Sequence, residues 1–152
     1  MATRWLTPQE MAAWRSFIET TGDLMKAIEK DLVPYGLDRG DYQLLAMLSE
    51  APDQRLRMCD LADSLRLTRS GLTRRMEGVL KKKLVARVQS DDDGRVAYAS
   101  LTPKGFNLLK TAAPGHLESV RRLMIDVLTP TEIKSIASAF GKISENLSRE
   151  QS

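Results

Sequence analysis

Apolar positions along this chain recur mostly at helical intervals, with two short stretches that alternate instead. Trp14, Phe17, Ile18, Met25, Ile28 and Leu32 form the first stripe, which ends near Pro34-Tyr35-Gly36. Thr7-Pro8-Gln9-Glu10 stands before it with an N-cap hydroxyl, a proline at the first helical position and an acid at the third. A second helix is predicted from the cap Asp38, with Asp41 in its first turn and Tyr42, Leu45, Met47 and Leu48 apolar, up to Ala51-Pro52. Leu56-Arg57-Met58 reads as a short strand, and residues 59–65 as a short helix carrying Leu61, Ala62 and Leu65, with Cys59 as its N-cap. After the turn Arg66-Leu67, Thr68 caps a further helix whose Leu72, Met76, Val79 and Leu80 share one face. Val85–Gln89 and Val96–Leu101 are strand-like runs around Asp91-Asp92-Asp93-Gly94-Arg95, a hairpin signal. Thr102-Pro103 opens a fifth helix, expected to break or bend at Pro114-Gly115 and to resume with Leu117, Val120, Met124 and Val127 on one stripe. Thr129-Pro130-Thr131-Glu132 repeats the first start signal, and Ile133, Ile136, Phe140, Ile143 and Leu147 follow at the spacing of a helix–helix seam.

The fold class expected from this order is mainly α with a small β wing: a winged helix-turn-helix plus a helical dimerisation region. One domain, 1–152, accommodates it, with dimerisation helices near 5–34 and 103–148 and a DNA-binding lobe near 38–102. The helix after Thr68 packs along one side and offers Arg69, Ser70, Thr73, Arg74 and Arg75 elsewhere. Arginine can bond guanine O6 and N7 together, and small hydroxyls reach phosphates or base edges, so such a helix suits a major groove. A basic run on its own is more often only a solvated face; the neighbouring short helix and hairpin favour the DNA reading here.

Charge placement adds to the pattern. The whole chain is only +3, yet residues 66–87 hold eight basic residues (Arg66, Arg69, Arg74, Arg75, Lys81, Lys82, Lys83 and Arg87) against the one acid Glu77. The remainder is therefore net acidic, and the positive charge lies where a phosphate backbone would run. Cys59 is the only cysteine, which excludes an intramolecular disulfide and fits a reducing cytosol. With no apolar leader or run long enough to span a bilayer, a cytoplasmic protein without membrane contact is expected.

Leu61-Ala62, Thr68-Arg-Ser-Gly-Leu-Thr-Arg74, Leu84-Val85, Asp93-Gly-Arg95 and Leu101-Thr-Pro-Lys-Gly105, in this order of helices, resemble the MarR family of bacterial transcription regulators. The likeness covers nearly the whole chain, and its most specific piece is the Asp-x-Arg wing followed six residues later by Leu-Thr. It implies a homodimer joined through the N- and C-terminal helices, bound to a palindromic double-stranded DNA operator and commonly acting as a repressor. It further implies groove or backbone contacts from Arg69, Ser70, Thr73 and Arg74, and a minor-groove contact from Arg95, oriented by Asp93. A cleft for a small aromatic or lipophilic effector is also implied, with Trp14, Phe17 and Tyr42 as candidate lining. Two positions depart from the pattern: Lys83 stands where the family usually has glycine, and Cys59 where it often has Ser or Thr.

Other readings carry less. Asp91, Asp92 and Asp93 bear the carboxylates of a cation site, but a matching second ligand set is missing and Asp-Gly is ordinary turn chemistry. Cys59 at a helix start would suit a redox sensor, although a free cysteine is more often a small packing residue. His116, the one histidine, is a candidate ligand contact or pH sensor, with a helix-surface or interface role as the plainer reading. No Ser-His-Asp arrangement or phosphate-cradling glycine loop supports catalysis, and no cofactor or metal is expected. A sequence-indifferent architectural DNA-binding protein remains the alternative of a different class.

Overall fold

Side-chain caps fix where most of the helices begin. The computed structural model describes residues 3–90 and 94–150. Helix α1 (Pro8–Glu29) starts with a reciprocal capping box: the Thr7 hydroxyl accepts from the Glu10 amide at 3.3 Å, and the Glu10 carboxylate accepts from the Thr7 amide at 2.7 Å. The bond from the Thr7 amide, with a smaller one from its hydroxyl, holds the Glu10 carboxyl below its ordinary value. Helix α2 (Arg39–Glu50) is capped by Asp38, whose carboxylate accepts from the Asp41 amide at 2.7 Å. A short strand β1 (Arg55–Arg57) leads directly into α3 (Met58–Ser64), and α4 (Arg69–Lys81) follows with the Thr68 hydroxyl accepting from Gly71 at 3.1 Å. Strands β2 (Val85–Gln89) and β3 (Ala97–Leu101) form the hairpin, followed by α5 (Pro103–Leu123) and α6 (Pro130–Glu150). At α6 the capping box recurs between Thr129 and Glu132, with bonds of 2.8 and 3.3 Å.

The sheet is antiparallel in the order β1-β3-β2, with Leu56 and Arg87 both opposite Ala99, and Arg57 and Val88 both opposite Tyr98. Leu56 and Ala99 turn to the packed side, and Ala99 is fully buried. Along β2 burial falls from Val85 at the root to exposed Arg87, Val88 and Gln89, so the hairpin projects as it leaves the core. That core joins Leu44, Leu45 and Leu48 of α2, Leu61 of α3, Leu72, Met76 and Val79 of α4, and Leu84 at the wing root. The α4 residues recur at four and three, so a single stripe anchors the helix, each side chain contributing about 1.5–3 kcal/mol of transfer free energy. The chain divides into two compact units, 1–28 with 117–152, and 29–116.

Several local expectations are corrected. β1 covers Arg55–Arg57, so Met58 opens α3 instead of closing a strand. Arg57, in extended backbone and without a side-chain cap bond, occupies the N-cap of α3; Cys59 is therefore the second residue of the helix and not its cap. α5 runs through Pro114 without interruption. The carbonyl that the missing N–H leaves without a donor belongs to Lys110, an exposed residue, and water can serve it. Leu117 and Val120 lie within α5, Met124 just beyond it, and Val127 in a short 3-10 turn, Ile125–Val127. Asp91, Asp92 and Asp93, and with them the wing-support and cation expectations, lie outside the described residues.

Candidate nucleic-acid interface

Away from its buried stripe, and at its exposed N-terminal end, α4 carries Arg69, Ser70, Thr73 and Arg74, all exposed. The Thr73 hydroxyl donates to the Arg69 carbonyl at 3.0 Å, and the hydroxyls of Thr68 and Ser70 stand 3.2 Å apart. These short side chains are held against the first turn of the helix, leaving the arginines as its longest projections.

A groove of about 390 Å³ runs between this helix and the wing, and four arginines line it: Arg57 from β1, Arg69 from α4, Arg87 from β2 and Arg95 from the hairpin turn. Thr73 and Cys59 line it too. Sequence reasoning named Arg69 and Arg95 as DNA contacts, counted Arg87 only within the basic run, and did not single out Arg57. Arg87 was legible as an outlier, since the alternation of β2 puts it on the side of Leu56 and Ala99, yet it is exposed. Four arginines lining one hollow concentrate positive charge there, which suits a polyanion. Cys59 is an exposed free thiol, with Sγ 3.5 Å from an Asp60 carboxylate oxygen.

Arg75, grouped with the groove-facing residues on sequence, is placed differently. It is half-buried, and its Nη1 donates to both carboxylate oxygens of Asp38 at 2.6 Å and to Asp41 Oδ1 at 3.1 Å. Burial raises the Asp38 carboxyl, but the bonds from Arg75 and from the Asp41 and Gly40 amides outweigh it, so the net shift is downward. Lys82 joins the same cluster, donating to Asp41 Oδ2 at 3.2 Å and to the Gly36 carbonyl at 2.6 Å.

α4 ends in a Schellman turn. The Leu84 amide bonds the Val79 carbonyl and the Lys83 amide bonds the Leu80 carbonyl, both at 2.9 Å, with Lys83 in the left-handed region at φ 58°. The departure from glycine noted at this position is thus a real conformational cost. The Thr102 hydroxyl then donates to the Lys83 and Leu84 carbonyls at 2.8 and 3.0 Å and accepts from the Gly105 amide at 3.0 Å. Lys104 Nζ donates to the Lys82 carbonyl at 2.9 Å. The Leu-Thr-Pro-Lys-Gly run therefore receives the carbonyl end of α4.

Of the residues proposed to line an effector cleft, Trp14 and Phe17 lie in the first unit, ring centroids 6.1 Å apart, and Phe17 also meets Phe140 at 5.5 Å. Tyr42 belongs to the second unit, where its ring lies 4.2 Å from that of His116. Burial raises the Tyr42 hydroxyl and lowers the His116 imidazole, the latter opposed by Asp31. Among the described residues no cluster of three or more His, Cys, Asp or Glu is arranged to hold a metal, and no helix is long and apolar enough to cross a membrane.

Comparison with known proteins bears on this geometry. The sequence profile of the MarR family matches residues 35–96. The chain is similar to AbsC, a MarR family transcriptional regulator from Streptomyces coelicolor, at 39% identity and a TM-score of 0.92, covering 95% of this chain and 98% of that one. It is similar to Sco3205, a MarR family transcriptional regulator from the same organism solved in complex with DNA, at 36% identity and a TM-score of 0.92, covering 96% and 92%. The HTH-type transcriptional regulator MhqR of Bacillus subtilis (strain 168) is 27% identical over 119 residues, 78% of this chain and 80% of that protein.

Proposed function

The chain belongs to the MarR family of transcriptional regulators, a DNA-binding protein and not an enzyme, and on that premise we propose that it is a repressor that binds a palindromic operator as a homodimer. The observation that carries the reading is the groove in which Arg69 of α4 and Arg95 of the wing are brought together with Arg57 and Arg87. In the proposed complex α4 enters the major groove, Arg69, Ser70, Thr73 and Arg74 meet base edges or phosphates, and Arg95 enters the adjacent minor groove.

The homodimer is supported by the apolar stripe of α6, where Phe140, Ile143 and Leu147 are 46, 54 and 52% exposed, a surface that one copy leaves uncovered. A second copy also supplies the second recognition helix that a palindrome requires. Relief of repression by a small aromatic or lipophilic effector completes the proposal, on the strength of the family resemblance. Such a molecule acts by favouring a helix spacing that no longer matches the half-sites.

The test is selection of binding sites from random duplexes, followed by gel shift on the selected duplex and on a scrambled duplex of equal composition. A palindromic consensus bound far more tightly than its scramble is expected. Equal affinity for both would establish the architectural alternative instead. Screening phenolic acids by thermal shift and gel shift tests the effector; compounds that bind without altering DNA affinity would remove that part.

A further inference from the structure

We propose that Asp38, Asp41, Arg75 and Lys82 form a polar clamp that sets the pose of α4 for base readout without any of them contacting DNA. The inference rests on the reading that α4 is the groove-entering helix.

Asp41 is the anchor. Its side chain is only 8% exposed, and its oxygens take one cation from α4 and one from that helix's C-cap: Oδ1 accepts from Arg75 at 3.1 Å and Oδ2 from Lys82 at 3.2 Å. Those cations are seven residues apart, about two helical turns, so α4 is gripped at two points along its axis. Asp38 adds a second carboxylate on the same Arg75 nitrogen, and the Gly36 carbonyl a second acceptor on Lys82. The Arg75 guanidinium lies over Gly40, where a Cβ would come within 2.5 Å of Cζ. The clamp is thus fitted as well as paired: the backbone of α2 leaves space for that guanidinium.

The apolar stripe Leu72, Met76 and Val79 holds α4 against the core, but hydrophobic burial is non-directional and restrains rotation and sliding weakly. A buried carboxylate is the opposite case. If α4 turns or slides, Asp41 loses a cation while remaining out of water, which is costly. Phosphate contacts tolerate small changes of pose, whereas a bidentate contact to a base edge does not. Disturbing the clamp should therefore reduce discrimination before it reduces general affinity.

Simple charge gives the contrary expectation. Asp38 and Asp41 are acids beside a basic surface, and neutralising either would tighten all DNA binding if charge were their only effect. Asp38→Asn isolates the clamp, because asparagine is as good an N-cap as aspartate and keeps the bond to the Asp41 amide. Asp41→Asn preserves volume at the anchor, and Arg75→Lys keeps the charge while losing the planar guanidinium seated over Gly40.

Each variant is measured by gel shift against the selected duplex and its scramble over a series of KCl concentrations, with a thermal melt alongside. The expected result is a selected-to-scrambled affinity ratio lowered about five-fold or more, the scale of losing one base contact. Affinity for the scramble should be unchanged or tighter, with a steeper salt dependence as the released Arg75 and Lys82 reach phosphates. Should Asp41→Asn fail to fold, Asp38→Asn and Arg75→Lys carry the test. An unchanged ratio, or equal tightening on both duplexes, would overturn the clamp while leaving the DNA-binding reading intact. A parent protein that does not discriminate between the duplexes would overturn both.

Discussion

The Leu84 carbonyl oxygen occupies the place that a β-carbon on Gly105 would need. Gly105 lies in the first turn of α5, and its amide bonds the same Thr102 hydroxyl that serves the Lys83 and Leu84 carbonyls. Exposed or unhindered, glycine to alanine in a helix would stabilise by about 1 kcal/mol. Here Gly105→Ala should destabilise, by about 1–3 kcal/mol, because a backbone carbonyl cannot move aside as a side chain can. Urea unfolding reads the sign directly, and a stabilised variant would show that the close approach is not maintained in solution.

Lys83 gives the opposite prediction. It holds a left-handed φ of 58° at the end of α4, where glycine has no β-carbon penalty. Lys83→Gly should raise stability by about 0.5–1 kcal/mol, less whatever the added freedom of the unfolded chain removes. A fall in stability would mean that the exposed lysine side chain contributes more than its backbone strain costs.

What the sequence disclosed about this protein follows a physical division. The caps at Thr7, Asp38, Thr68 and Thr129 were legible because each acts within three residues of itself. The buried stripe of α4 was legible because its period is local. The ion pairs of Arg75 were not legible because its partners Asp38 and Asp41 lie 37 and 34 residues away, and no periodicity marks such a pair. Arg57 was not singled out because its place beside the groove depends on the pairing of β1 with β3, while Arg87 was read only as part of the basic run. Pro114 was read as a break or a bend, yet α5 continues through it, since one lost hydrogen bond does not end a 21-residue helix.

The dimer proposal predicts a clean separation of assembly from folding. Ile143 and Leu147 are more than half exposed on α6, so charging them sacrifices little packing within one chain. Ile143→Asp with Leu147→Asp should sediment as a monomer, keep a parent-like helical circular dichroism spectrum and lose operator binding. A dimer that survives both changes would move the interface off this stripe.

His116 should make the fold sensitive to mild acid. Its Nδ1 is buried without a hydrogen-bond partner and its ring lies against Tyr42. Burial pushes its imidazole below the ordinary 6.5, with Asp31 opposing in part. Between that lowered value and 6.5 the unfolded chain binds more protons than the folded one. Stability should therefore fall as pH drops through this window and level off once the folded imidazole also protonates. His116→Phe keeps a ring beside Tyr42 and removes the titration, so its unfolding free energy should decline less between pH 7 and pH 5 (about the span of the imidazole titration). Parallel decline in both proteins would assign the acid sensitivity to carboxylates.

The two exposed arginines proposed to meet DNA should fail in different ways. Arg95 sits in the hairpin turn beyond the paired residues Gln89 and Ala97, so it is carried away from the core on a short arm. A guanidinium presented there suits a narrow, strongly negative minor groove. Arg95→Ala should weaken binding most on operators with A·T-rich flanks, and flatten the salt dependence by about one phosphate equivalent. Arg74, exposed on α4, is placed for base readout, and Arg74→Ala should lower discrimination between operator and mismatched half-sites by about 1–3 kcal/mol. Neither residue belongs to the buried core, so both variants should melt as the parent does. Gel shifts on matched and mismatched duplexes across a salt series, with thermal melts alongside, separate the two effects. If Arg95→Ala binds as tightly as the parent at every salt concentration, the wing tip makes no DNA contact, and the groove of four arginines must serve the protein through Arg57, Arg69 and Arg87 alone.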